Sequence, residues 1–431
     1  MSNSNKSNVI PIIMMYLLFA MIAFVTNLCN PMGVIVKNQF GVSNFAAQLG
    51  NFANFGAYLL MGIPSGLLLK KIGYKKTALF AIAIGFIGVF LEYVSGWESV
   101  QSFPVYLMGA FIAGFCMCML NCVVNPMLNT LGGGGNKGNQ LIQFGGVCNS
   151  LAATAVTILV GAMIGDVSKA QISNATPALF IALGIFAVVF IVLLLTNIPE
   201  PSIATDKGEK ATTGAFKYRH FNLGLLAIFL YIGIEVGLPT YVLQYLSTPT
   251  EVAEGLAPGF GMDPGIAATI AGVYWLLMLV GRFVGGLIGG KVSSRAQVTV
   301  LASVVILFVL IGMFASTDTL VPIVGFEGST GSFTTSQVPM GILFLVLGGL
   351  CTSIMWGGIF NMAVEGLGKY TEFASGMFMT MVFGGAILVP FQGLVADITG
   401  SFLSSYVVVL CCAAYILFYA LIGSRVSKKA E

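Results

Sequence analysis

Charge is the scarcest property of this 431-residue chain: Asp, Glu, Lys and Arg together make up 8% of it. A soluble domain carries about 25%. The net charge of +3 is far from the clustered basic face that nucleic-acid binding requires. A single histidine, His220, leaves no imidazole cluster for metal binding or acid–base work. The eight cysteines lie in apolar runs without paired metal-ligand spacing or an extracellular disulfide pattern, so they are read as small hydrophobes. The glycine run Gly132–Gly135 leads into Asn136 and Lys137, not the lysine–serine pair of a phosphate loop, which removes ATP-driven work. No cofactor and no metal site is expected. What the chain has in excess is apolar surface: 57% of its residues are hydrophobic and the mean hydropathy is +0.95. No soluble fold of this size hides that much, so the chain reads as a polytopic membrane protein.

A membrane helix needs about 20 apolar residues. Twelve such runs lie near 10–36, 46–69, 77–96, 103–131, 139–165, 177–197, 221–247, 264–290, 297–316, 339–367, 373–397 and 403–424. The first is too long for a secretory h-region and lacks a small-residue cleavage site, so it counts as a span. With the N-terminus inside, sixteen of the Lys and Arg residues fall on the inner side and only Lys37 and Lys169 outside. That asymmetry places both termini in the cytoplasm and the chain in the cytoplasmic membrane. The polar run after the sixth span has a linker's composition. Three parts are therefore expected: a six-helix half over 1–199, a cytoplasmic linker over 200–219 and a second six-helix half over 220–431. The halves echo each other. Gly66, Lys71 and Lys75 recur as Gly286, Lys291 and Arg295, and Asn125 with Leu131-Gly132 recurs as Asn361 with Leu367-Gly368. Six-span halves in parallel repeat are built to hold a substrate near the midplane between them.

Several stretches resemble the fucose/glucose/galactose sugar–proton symporter branch of the major facilitator superfamily. They are Phe55 to Lys75, Asn125-Pro126, Asn149-Ser150, Phe229 to Val236 around Glu235, Gly281-Arg282-Phe283, and Ile359 to Thr371 running on to Asp397. The resemblance covers nearly the whole chain. It implies an all-α fold of twelve transmembrane helices that imports a monosaccharide, of hexose or 6-deoxyhexose type, by proton-coupled alternating access. Two departures bear on coupling. Where fucose symporters of this branch carry acids in spans one and four, this chain has Asn30 and Asn121. An amide hydrogen-bonds a hydroxyl from both its ends, but it does not titrate. An acidic sugar such as sialic acid, or uncoupled or sodium-coupled uptake, is the alternative expectation.

Ionisable groups inside a bilayer are costly and point to function. Glu235, mid-span in the seventh helix, is the expected proton carrier, against the plainer reading of a carboxylate paired with a buried cation. Arg282 is the expected gating cation, with Lys71 and Lys291 at equivalent places in the repeat. Asn27, Asn30, Asn121, Asn125, Gln143, Asn149, Asn361 and Gln392 all fall within spans and are candidates for sugar hydroxyls. Tyr241, Tyr274, Trp275 and Trp356 offer aromatic surface for a sugar's C–H face. Glu92, near the outer end of span three, is expected to reach water, and His220 to be solvated in the inner loop. The expected partners are a sugar, a proton and the lipid bilayer, with the protein a monomer. A lipid-linked-sugar enzyme lacks a titratable pair, and the seven residues from Arg425 are a short tail for a sensor.

Overall fold

A backbone in hydrocarbon must satisfy its own N–H and C=O groups, so apolar runs of this length become helices. The computed structural model describes residues 9–42, 49–164, 171–200, 214–251, 257–262, 264–327 and 332–426. Outside them lie most of the expected linker, Lys6, Lys169, Lys207, Lys210, Lys428 and Lys429. The described chain forms α1 Val9–Phe40, α2 Leu49–Ile72, α3 Tyr74–Val94, α4 Phe103–Leu131, α5 Gly135–Ile164 and α6 Ile172–Leu195. Further on come α7 Arg219–Ser247, α8 Pro264–Gly289 and α9 Ser294–Phe314. The tenth span is interrupted, as α10 Met340–Thr352 and α11 Met355–Val364, and the eleventh as α12 Thr371–Thr380 and α13 Gly384–Thr399. The helix α14, Val407–Phe418, closes the series.

With α10 joined to α11 and α12 to α13, eleven spans among the described residues are long and apolar enough to cross a membrane. The first turns of α5 carry Asn136, Lys137, Asn139, Gln140 and Gln143. Lipid-facing character is plain at several helix ends: Leu195, Phe314 and Ile398 are 81%, 77% and 76% exposed.

Contacts divide the chain into two units. One comprises Met1–Lys217 with Val364–Met381, the other Tyr218–Ala363 with Val382–Glu431. Within the first, α2 meets α12 where Gly62 and Gly66 face Gly376; a Cβ on Gly376 would fall on the Gly62 carbonyl and the Gly66 backbone. Small residues permit that approach. The α2–α3 turn is a single residue, Gly73, at φ 84° and ψ 175°, a region essentially reserved for glycine. The Glu200 carboxylate then accepts the first helical N–H groups, from Tyr74 at 2.7 Å and Lys75 at 3.0 Å. In return the Lys75 ammonium donates to the Leu194 and Thr196 carbonyls at the end of α6. Each charge sits at the helix end that favours it. Gly133, Gly134 and Gly135 all have positive φ, so the glycine run serves a tight α4–α5 turn.

Three features depart from expectation. A hairpin absent from the hydropathy reading joins α9 to the tenth span: β1 Leu320–Glu327 pairs antiparallel with β2 Ser332–Pro339, from Leu320↔Pro339 to Glu327↔Ser332. Alternation turns Ile323 inward and leaves Leu320 and Val324 exposed. Glu92 does not reach water: it is 2% exposed and wedged against Gly109 of α4, because glycine there leaves a slot for its side chain. His220 is not solvated either; it lies in the first turn of α7, fully buried, with its ring edge-on to Tyr218.

Candidate functional site

In the first unit the amides are spread along α1, α4 and α5. Asn121 is buried; its side-chain nitrogen donates to the Tyr58 hydroxyl of α2 at 3.1 Å and to the Met117 carbonyl at 3.1 Å. That leaves its side-chain oxygen as an acceptor. Asn125 is fully buried and donates to the Asn121 carbonyl, and Asn27 to the Ala23 carbonyl. Both bonds are back-bonds to the preceding turn, a common resting place for a polar side chain in a helix. Asn149 donates across to the Phe19 carbonyl at 3.1 Å, tying α5 to α1, and Gln143 donates to Asn139 at 3.4 Å. The Asn30 side chain lies outside the described residues. Lys71 is exposed at the end of α2. Tyr58 was missed because a tyrosine in an apolar run carries no hydropathy signal.

The second unit holds the denser constellation. The Arg282 guanidinium of α8 lies 3.3 Å from the Glu235 carboxylate of α7. Their side chains keep 13% and 15% of their surface accessible, so the pair lies deep without being sealed. Tyr231 lies one turn before Glu235 on the same helix. These groups converge where the tenth span breaks. The Ser353–Ile354 turn separates α10 from α11, and side chains of neighbouring helices bond the backbone there. Tyr231 donates to the Thr352 carbonyl at 3.1 Å, and Arg282 Nε to the Ser353 carbonyl at 3.2 Å. Tyr274 of α8 shares a 2.7 Å hydrogen bond with the Thr352 hydroxyl. Irregular backbone at membrane depth persists only where such partners or a cavity receive it. Trp356, on the first turn of α11, stands 6.3 Å from the Tyr231 ring.

Glu235, Arg282, Tyr274 and Trp356 are thus brought together, and Tyr231, Thr352 and Ser353 complete the group. The Thr352-Ser353 pair after Gly348-Gly349, inside an apolar span, was the available signal for the break. Tyr241 and Gln392 lie farther along α7 and α13. Tyr241 donates to the Val389 carbonyl at 2.7 Å, and Gln392 reaches Ser405 at 3.4 Å. Asn361 stands apart, donating to the Ser294 hydroxyl at the start of α9 at 2.8 Å. Trp275 is 46% exposed, its ring edge-on to that of the buried Tyr274 at 5.3 Å. Lys291 is exposed beyond α8.

Comparison with known proteins supplies the wider setting. The model of the Major Facilitator Superfamily matches residues 15–390. The "Glucose/galactose transporter" of Brucella abortus is 28% identical over 432 residues, covering 98% of this chain and 96% of its own. The "L-fucose-proton symporter" of Escherichia coli K12 is 23% identical over 450 residues, covering 98% and 95%. Among solved structures, the transporter FucP in its outward conformation superposes with a TM-score of 0.80 at 21% identity, over 97% of this chain and all of that one.

Proposed function

The chain belongs to the major facilitator superfamily, and from that membership we propose that it imports a monosaccharide by alternating access, coupled to protons through Glu235. Alternating access here means two six-helix halves, 1–199 and 220–431, rocking across the 200–219 linker, with both termini in the cytoplasm and the protein in the cytoplasmic membrane. Relatives that match it end to end are named as glucose/galactose and fucose–proton carriers, which supports a neutral hexose or 6-deoxyhexose as cargo.

The observation that carries the reading is the Glu235–Arg282 pair at the break of the tenth span. A charge pair in hydrocarbon is tolerated when each partner neutralises the other. Protonation of Glu235 ends that neutrality, while Arg282 keeps its hydrogen bond to the Ser353 carbonyl. Because that carbonyl belongs to the break, the proton state of Glu235 is transmitted to the backbone of the tenth span. Tyr274 and Trp356 provide aromatic surface beside it. Asn121, with a free acceptor oxygen, and the other amides of α1, α4 and α5 supply the hydroxyl partners. Lys71 and Lys291 serve at the helix ends as gate contacts.

The test is uptake of labelled sugars into proteoliposomes, with and without an inward proton gradient, for wild type and Glu235→Gln. Gradient-driven accumulation in the wild type that disappears in the variant is the expected result. Equal, non-concentrative uptake by both proteins would overturn coupling through Glu235. It would leave a facilitator, the reading favoured by amides at positions 30 and 121. Competition of uptake by sialic or uronic acids would instead assign an acidic cargo.

A further inference from the structure

A cavity lies away from the amides and the Glu235–Arg282 pair described above. It is a groove of about 460 Å³ between α3 and α6, with Ile82, Phe86 and Ile87 on one wall and Phe186, Phe190 and Ile191 on the other. Its lining is wholly apolar, so it has nothing to offer a sugar. Ala83 and Ala187 lie between the larger side chains and keep the channel wide. Phe86, Ile87 and Ile191 are exposed, so the groove opens outward along the helix pair.

The groove has a charged end. The Lys75 bonds to the Leu194 and Thr196 carbonyls show that α3 and α6 run antiparallel, with residue 75 beside the end of α6. The groove therefore starts a turn and a half from a basic helix terminus. Of the four lysines there, Lys75 is spent on α6, and Lys70 acts electrostatically on Glu372. Lys76 is exposed. The Glu200 carboxylate at this end is taken up by the N–H groups of Tyr74 and Lys75. Lys76 shares a helical stripe with Phe80, Ala83 and Ile87, and the groove lies about 9 to 16 Å along the axis from it. That is the depth of one leaflet's acyl region, about 15 Å.

We propose that this groove is a binding site for an anionic phospholipid, with one acyl chain between α3 and α6 and the phosphate on Lys76. A zwitterionic lipid would fill the apolar part equally well. Selectivity comes from Lys76, since basic residues at a helix end attract anionic headgroups. The occupant would brace α3 against α6 along the face that Lys75 and Glu200 already tie at one end.

The experiment is native mass spectrometry of the full-length protein released from bilayers of equal phosphatidylglycerol and phosphatidylcholine. Four proteins are compared: wild type, Lys76→Gln, the double variant Ala83→Phe with Ala187→Phe, and Lys137→Gln as an exposed-lysine control. The wild type and Lys137→Gln should retain phosphatidylglycerol preferentially, by about fivefold, the worth of one lysine against an anionic headgroup. Lys76→Gln should bring the ratio to parity, and the filled groove should lose retained lipid of both kinds. Equal retention of the two lipids by the wild type would overturn the proposal. So would a preference that survives Lys76→Gln, or one that Lys137→Gln abolishes as well. If the double variant does not fold, Lys76→Gln decides alone, because its side chain is exposed.

Discussion

Glu235 and Arg282 hold each other across 3.3 Å, so deleting either charge strands the other. Arg282→Gln should cost about 3 kcal/mol, the lower end for a broken buried pair because both side chains keep some access to solvent. Thermal unfolding in detergent measures it. The double variant Glu235→Gln with Arg282→Gln should regain most of that stability and still fail to accumulate sugar against a gradient. A double variant whose loss equals the sum of the two single losses would show that the pair has no net coupling. Tyr274→Phe removes one buried hydrogen bond, to Thr352, and should cost about 1 kcal/mol. The aromatic face remains, so sugar binding should survive it.

Among the elements, two contacts carry most of the risk. At the α2–α3 turn, Gly73 combines φ 84° with the Glu200 carboxylate packed over its Cα. Gly73→Ala should destabilise by about 2 kcal/mol through backbone strain, with an added loss from displacing the Glu200 cap. At the crossing of α2 and α12, Gly376→Leu forces the two helices apart, since its Cβ would already meet Gly62 and Gly66. The expected outcome is a folded protein with sugar uptake lost. A single cysteine at position 71 should then label faster than in the parent. Unchanged uptake would remove this crossing from the transport cycle.

For the molecule as a whole, single cysteines in place of Lys6, Glu98 and Lys428 test topology. An impermeant maleimide applied outside intact cells should label only position 98; labelling of 6 or 428 would invert the proposed orientation. Much of the architecture was legible in the chain. The fourth span, read over 103–131, matches α4, and the seventh, eighth and ninth are displaced by three residues or fewer at either end. The resemblance to sugar symporters also anticipated the family. The hairpin after α9 escaped notice because Thr334-Thr335 and Val338 lie in a polar stretch too short and mixed for a span.

The sequence by itself determined where the chain enters and leaves lipid, because hydropathy is a local sum and a bilayer admits little besides helices. It also singled out Glu235 and Arg282, since a charge within a span is conspicuous wherever it points. Only the tertiary structure decided that these two meet across 47 residues. It alone shows the Thr352 and Ser353 carbonyls turning toward them and Glu92 buried beside a glycine, not wet. Helix rotation and pairing arise from side-chain fit between segments distant in sequence, and no local sum records that fit.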